Sequence, residues 1–380
     1  MSGVLFYNKC RIKTDVLTSL QLTEAEEKDV NFYDYDGFRL LSYTNEEALA
    51  LTELPVNTAS NDNLTFDEWN WTLADIKTQI NTVGGVVNVG AIYHTTDDKT
   101  HITCKPTETF PQAHICLTPT VANAVTVNWG DDTTSVWTST SQATKSHTYT
   151  GVTDSSVYDI TISCSSGTYR FGTNITGSSA KNTNCIYTDI KLSNKVTSLG
   201  TYCFQVCYSL QTITIPNSIT SLSDGCFYDC YSLQPITIPS SVTSFGHSCF
   251  KDCYSLRTIT IPNSITSLSD GCFYDCYSLQ FITIPNNVTS LGSSCFYVCY
   301  SLQSVTIPDA VTSLGAQCFG VCYSLQKIYC KPTTPPTMSN ANTITNISNL
   351  VIYVPNGTLS AYQSAGNWSS FASKMVEYNF

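Results

Sequence analysis

The most regular feature of the chain is a pattern of apolar positions that returns every 23 residues. Ile-Pro recurs at 215–216, 238–239, 261–262, 284–285 and 307–308, and a first copy without Ile-Pro fills 192–214, giving six copies up to Tyr329. Residues 215–234 and 261–280 are identical over twenty positions. A unit of this length cannot bury its apolar face alone, so copies must stack and bury one another. Within one unit, Thr212-Ile213-Thr214-Ile215 alternates and is β-branched, which predicts a short strand ended by Pro216. Ile219–Leu222 predicts a second extended piece. Ser223-Asp224-Gly225 followed by Cys226–Cys230 predicts a helical turn. On the strand side, Thr212, Thr214, Thr237, Thr258, Thr260, Thr283 and Thr306 form a threonine lattice, expected to be a solvated face.

The flanks carry other patterns. Asn45-Glu-Glu-Ala-Leu-Ala-Leu predicts a helix begun by a capping residue, and Leu73–Ile80 a second one closed by Gly84-Gly85. Val86–Tyr93 and Lys99–Cys104 predict a hairpin turning at Asp97-Asp98. Strands are expected at Val125–Trp129, Ser146–Tyr149 and Tyr158–Ser163. After the repeats, 331–348 reads as a loop, Leu350–Val354 as a strand and Leu359–Ala365 as a helix. Trp368 and Phe371 are placed to cover the last rung. The expected architecture is multidomain and mostly β. It comprises an α+β unit over 1–107, a β-sandwich over 108–178, and a solenoid over 185–380 whose repeats span 192–329 and whose α/β cap spans 330–380.

Composition narrows the function classes. Charged residues are only 12% of the 380, with 18 Lys+Arg against 29 Asp+Glu and a net charge of −11. That argues against a nucleic-acid partner, which requires a basic face, and equally against docking to anionic lipid. No apolar run is long enough to span a bilayer. The start, Met1–Cys10, lacks the basic and apolar segments of a secretory signal, so the chain is expected to be cut from a longer one, to leave the cell by another route, or to be released by lysis with a virion, the last being favoured over a secreted adhesin.

The repeat resembles the BspA-type leucine-rich repeats, whose unit places Ile-x-Ile-Pro, Val-Thr-Ser, a Phe and a Cys-x-Ser-Leu at these spacings. All six copies depart from it in one respect: Cys stands before Phe where the family has a small Ala. The resemblance implies binding without catalytic residues, as in surface adhesins and phage-encoded proteins. Trp129-Gly-Asp-Asp132 and His147-Thr-Tyr149 resemble the PKD domain, an immunoglobulin-like module that serves as a spacer or contact domain. Its turn ends here in Asp132 where the family has Gly. Asp131 and Asp132 raise the idea of calcium, but a turn-forming role is favoured. Phe32-Tyr-Asp-Tyr-Asp-Gly37 and Trp69-Asn-Trp-Thr-Leu-Ala-Asp75 look like an N-terminal module that precedes such repeats, an attachment end by expectation.

Twelve of the 18 cysteines form six Cys-x-x-x-Cys pairs: Cys203/Cys207, Cys226/Cys230, Cys249/Cys253, Cys272/Cys276, Cys295/Cys299 and Cys318/Cys322. Two columns of buried thiols are the favoured arrangement, since cysteine packs as a small apolar residue. Disulfides are disfavoured within a pair, because Cβ atoms four apart on a helix lie about 5–6 Å apart, beyond the reach of about 3.5–4.5 Å. Cross-rung bonds stay open. A metal column stays open too, although His247 is the sole histidine of the repeats. After each second cysteine comes a tyrosine: Tyr208, Tyr231, Tyr254, Tyr277, Tyr300 and Tyr323. Six in register form an aromatic stripe that either grips a ligand or stacks on itself to shield the core. Beside it runs a variable column, Gln205, Tyr228, Lys251, Tyr274, Tyr297 and Gly320.

Catalytic signatures are missing: no phosphate loop, no His-Glu-x-x-His, no Gly-x-Ser-x-Gly. His94 and His101 flank the Asp97-Asp98 turn, a conceivable metal pair for which a plain solvated turn is the better reading. No cofactor, metal or enzymatic activity is expected. The sequence points to a recognition protein, either a surface adhesin or a receptor-binding appendage of a virion. Its ligand would be a glycan or protein on a cell surface. The alternative is a structural subunit whose repeats drive self-assembly.

Overall fold

The structure is a computed structural model that describes residues 30–34, 39–57, 64–82, 87–172, 186–345 and 348–380. Gly84-Gly85, the chain start, Cys10 and Cys185 lie outside the described residues.

Four strands open the chain: β1 (Val30–Tyr33), β2 (Arg39–Tyr43), β3 (Leu64–Trp69) and β4 (Val87–Thr95). They form a sheet in the order β2-β1-β4-β3, with β1 and β4 parallel and the outer pairs antiparallel. Helices α1 (Asn45–Ala50) and α2 (Leu73–Thr82) cover one face. Ala48 and Ile76 pack there against Val30, Phe32, Val87, Val89, Ala91 and Tyr93 in a separate hydrophobic core. The cap of α1 is Thr44, not Asn45: Thr44 and Glu47 exchange backbone and side-chain hydrogen bonds in a capping box.

The expected hairpin is not formed. β4 pairs only within the first sheet, and β5 (Thr100–Cys104) crosses into another, between β10 (Tyr158–Cys164) and β12 (Tyr187–Lys191). The intervening strands are β6 (Gln112–Pro119), β7 (Val125–Asn128), β8 (Thr134–Trp137), β9 (Ala143–Thr148) and β11 (Tyr169–Phe171). With β13 (Val196–Leu199) and β14 (Thr212–Thr214) they build two sheets, β14-β12-β5-β10-β7-β8 and β13-β11-β6-β9.

Both sheets run directly into the solenoid. β12 pairs parallel with β14, and β11 parallel with β13, so the first rung is an extra strand on each sandwich sheet. One core continues from Ile115, Trp129 and Trp137 through every rung to Trp368 and Phe371. The sandwich therefore seals the open N-terminal end that a solenoid must protect. At the other end, Val351–Pro355 and the unforeseen strand Met375–Tyr378 add two further parallel rungs. Helix α3 (Leu359–Ser364) and Trp368 close the core, with the Trp368 indole donating to the Pro336 carbonyl.

Each rung has three sides. The strand side stacks β14 with Ile236–Thr237, Ile259–Thr260, Ser304–Ile307 and Lys327–Cys330. A second line runs from Leu199 through Leu222 and Phe245 to Ser267–Leu268, Ser290–Leu291 and Ser313–Leu314. The third side holds the cysteine-bearing turns. These are not helical: the Phe227 amide donates to Cys249 of the next rung, Phe250 to Cys272 and Phe273 to Cys295, at 2.8–2.9 Å. Gly225 and Asp229 bracket the turn in the left-handed region, φ 56° and 62°, which aims these amides along the stack. Bonding between rungs satisfies the buried backbone that a single helical turn would leave orphaned.

Candidate functional site

The tyrosine stripe is real and continuous. Ring centroids are 4.4 Å apart for Tyr208–Tyr231, then 4.5, 4.6, 4.9 and 5.1 Å along to Tyr323, with interplanar angles of 22° or less. The rings thus shield one another, and Tyr208 to Tyr277 are half-buried. Tyr323, the last ring of the stack, is 63% exposed, and Tyr300, with a ring on each side, is 38% exposed. A left-handed residue two positions earlier turns each tyrosine onto this face: Val206, Asp229, Asp252, Asp275, Val298 and Val321, with φ of 59–65°.

Three of those residues are carboxylates in register. Asp252 bonds to both Asp229 and Asp275, while Tyr231 and Tyr277 bond to Asp229 and Asp275. Burial, reinforced by the two flanking carboxylates, pushes the Asp252 carboxyl up to about 7, and burial raises Asp229 and Asp275 as well. Lys251 lies over two rings of the neighbouring column, 5.2 Å from the Tyr228 centroid and 4.4 Å from that of Tyr274. Sequence reading singled out both tyrosine-bearing columns but missed the aspartates between them. Their recurrence at one repeat position was the available signal.

The thiol columns are interior. Cys203, Cys226, Cys249, Cys272, Cys295 and Cys318 form one line and Cys207, Cys230, Cys253, Cys276, Cys299 and Cys322 the other, all at most 1% exposed. Among the described residues no disulfide joins any two cysteines, and no group of three His, Cys, Asp or Glu could hold a metal ion. The second thiol of a pair donates back across the stack, Cys253 to Phe227 and Cys276 to Phe250, at 3.2–3.3 Å. Beside them the phenylalanines stack from Phe204 to Phe319 at 5.3–5.5 Å. Burial raises these thiols well above their ordinary range, so they remain neutral.

The histidines fall into separate places. His94 pairs with Asp67 at 2.6 Å, whereas His101 lies between Asp97 and Asp159, 3.1 Å from each. Asp131 accepts from the Thr133 amide and hydroxyl and from His147, which accounts for its turn.

The threonine lattice is not solvated over its first rungs. Thr214, Thr237 and Thr260, which β4 crosses, are buried, and so is Thr283 on the next rung. Asn88 Nδ2 donates to Thr258 Oγ1 at 3.2 Å, Trp71 Nε1 to the Ile261 carbonyl at 2.8 Å and Asn70 Nδ2 to that of Ile238 at 3.2 Å. Sequence reading had no local signal for this contact, which joins residues about 170–190 apart.

No helix of the described residues is long and apolar enough to cross a membrane. No curated protein matches the chain. Its fold neighbours are bacterial leucine-rich repeat proteins. One is from T. pallidum, 28% identical over 36% of this chain and 63% of that one, TM-score 0.33. A second is from Eubacterium ventriosum, 24% identical over 48% and 44%, TM-score 0.35. A leucine rich cell surface protein of Faecalibacterium prausnitzii is 23% identical over 46% and 62%, TM-score 0.28. The chain thus spans less than two thirds of each of these relatives. The sequence model of the BspA type leucine rich repeat region matches residues 175–299 and 252–365, half of the chain, and on that match the chain belongs to the BspA-type leucine-rich repeat family.

Proposed function

We propose that this is a non-enzymatic recognition protein that binds a glycan or protein on a bacterial surface through its tyrosine stripe, as an adhesin or a virion-borne appendage. The observation that carries the reading is the register of the six tyrosines, which opens at Tyr300 and Tyr323 into exposed rings. Such rings offer large contact area with little entropy to lose and a hydroxyl at the tip. The covering of Thr214, Thr237 and Thr260 supports the same surface, since it removes the first strand-side rungs from competition. In this reading the sandwich is a PKD-like spacer and the first sheet the attachment end. The test is binding of labelled protein to a panel of bacterial cells and purified glycans, with stripe variants as controls.

One feature favours the second reading, a self-assembling structural subunit. The strand Met375–Tyr378 follows Val351–Pro355 at the end of its sheet, and Val376, Tyr378 and Phe380 are 44–49% exposed. Light scattering at rising concentration separates the two readings: growing mass supports assembly, and constant monomer mass rejects it.

A further inference from the structure

The Ile-Pro dipeptide has a consequence for backbone bonding. In the parallel stack, each Ile carbonyl on the strand side faces the amide 24 residues on. Where that residue is Lys331, the bond forms: its amide donates to Ile307 at 3.1 Å. For Ile238 the facing residue is Pro262, and for Ile261 it is Pro285, neither of which has an N–H. Successive Ile-Pro units therefore raise a row of carbonyls that the solenoid itself cannot satisfy. Two of them are taken from outside, Ile238 by the Asn70 amide group and Ile261 by the Trp71 indole.

The seat of the first sheet on this row joins polar bonds to an apolar patch where Ile92 lies beside Ile213 and Ile215. Asn217 and Ser240 add rim bonds to Glu68 at 3.1 and 3.2 Å. The hydrophobic core of the first sheet is separate from the one shared by sandwich and solenoid. The fit is also incomplete. Among the described residues Thr214 Oγ1, Thr260 Oγ1 and Asn88 Oδ1 are buried without a partner, and Ile92, Ile213, Ile215 and Thr237 line a small cavity. Buried polar atoms left unpaired favour separation, where water satisfies them. A partly polar contact between two separate cores resembles a transient protein interface more than a shared core.

We propose that the strand face over Ile215–Ile261 is a protein-docking surface read through its row of proline-orphaned carbonyls, and that its resident partner, reversibly seated, is the chain's own first sheet, β1 to β4. The inference does not depend on the tyrosine stripe.

The test uses the full chain with Pro262→Ala and Pro285→Ala together. These restore the N–H groups that can capture Ile238 and Ile261 within the stack. Hydrogen exchange is followed by mass spectrometry, alongside small-angle scattering. Exchange over 64–95 is expected to accelerate at least tenfold and the radius of gyration to rise, with exchange over 200–330 unchanged or slower. Trp71→Phe, which removes a single donor, is the second variant, with a smaller acceleration in the same segment. Wild-type exchange over 64–95 in both variants would overturn the proposal, as would equal acceleration in the solenoid, which would mean one inseparable unit. Neither readout involves an external ligand, so its failure is distinct from failure of the binding function.

Discussion

Gly90 approaches Thr237 so closely that a Cβ on Gly90 would lie 2.2 Å from the Thr237 hydroxyl oxygen. The glycine is thus required by the meeting of β4 with the solenoid. Its neighbours Val89 and Ala91 face the opposite way, into the first sheet's own core. Gly90→Ala is expected to cost about 1–3 kcal/mol, the usual penalty of overpacking. Thr237→Ala in the same chain should return part of it. A double-mutant cycle by urea denaturation checks this, and additive effects would place the strain elsewhere.

The aspartate ladder predicts an unusual pH dependence. Asp252 faces Asp229, Asp275 and Lys251, with Tyr231, Tyr254 and Tyr277 alongside. Its folded-state carboxyl titrates near 7, above the ordinary value of 3.8, so the folded state holds the proton more tightly than the unfolded one. That contribution to stability is full below about pH 4 and is lost as pH rises through about 7. Asp252→Asn keeps a residue tolerant of the left-handed φ of 61° and abolishes the titration. The variant should be about 1–2 kcal/mol more stable than the parent at pH 8 and level with it near pH 4. Equal denaturation midpoints at pH 8 would show that the ladder carries no such charge cost.

Val321 holds a β-branched side chain at φ 61°, a conformation in which L-residues other than Gly, Asn and Asp are strained. Val321→Asn should stabilise by about 0.5–1.5 kcal/mol. Thermal melting reads the change, and a lower Tm would mean that packing of the valine outweighs its backbone strain.

The thiol columns should be silent in the folded protein. Of the described cysteines, only Cys164 is not buried. Maleimide labelling read by peptide mass spectrometry should modify Cys164 well before any of Cys203 to Cys322. The columns should react together on unfolding. Early modification of Cys253 or Cys276 would contradict the burial.

The repeat was legible because every rung writes its inner face into the same positions. Ile213, Leu222, Cys226, Phe227 and Cys230 are all core residues, as their period implies. Trp368 and Phe371 were legible for the same reason, large apolar residues just past the last copy. The cysteine turn was misread because a buried i, i+4 pair imitates a helix. Only the partners of the Phe227 and Asp229 amides, in another rung, distinguish the two. The hairpin at Asp97-Asp98 was misread because local turn chemistry says nothing about which sheet each strand joins. The candidate stripe was legible as a column but not in its exposure. Tyr231 and Tyr323 occupy equivalent positions, and the place of Tyr323 as the last ring of the stack leaves it open where Tyr231 is half-buried.

The central claim is tested most directly at the two open rings. Full-length protein and its Tyr300→Ala/Tyr323→Ala variant are titrated onto the same panel of bacterial cells and purified glycans, with melting curves recorded in parallel. The account predicts that the parent binds at least one member of the panel. The variant should bind it at least tenfold more weakly, a loss of about 1.4 kcal/mol or more, with a melting temperature within a few degrees of the parent. Undiminished binding by the variant would contradict the account and remove the tyrosine stripe from recognition.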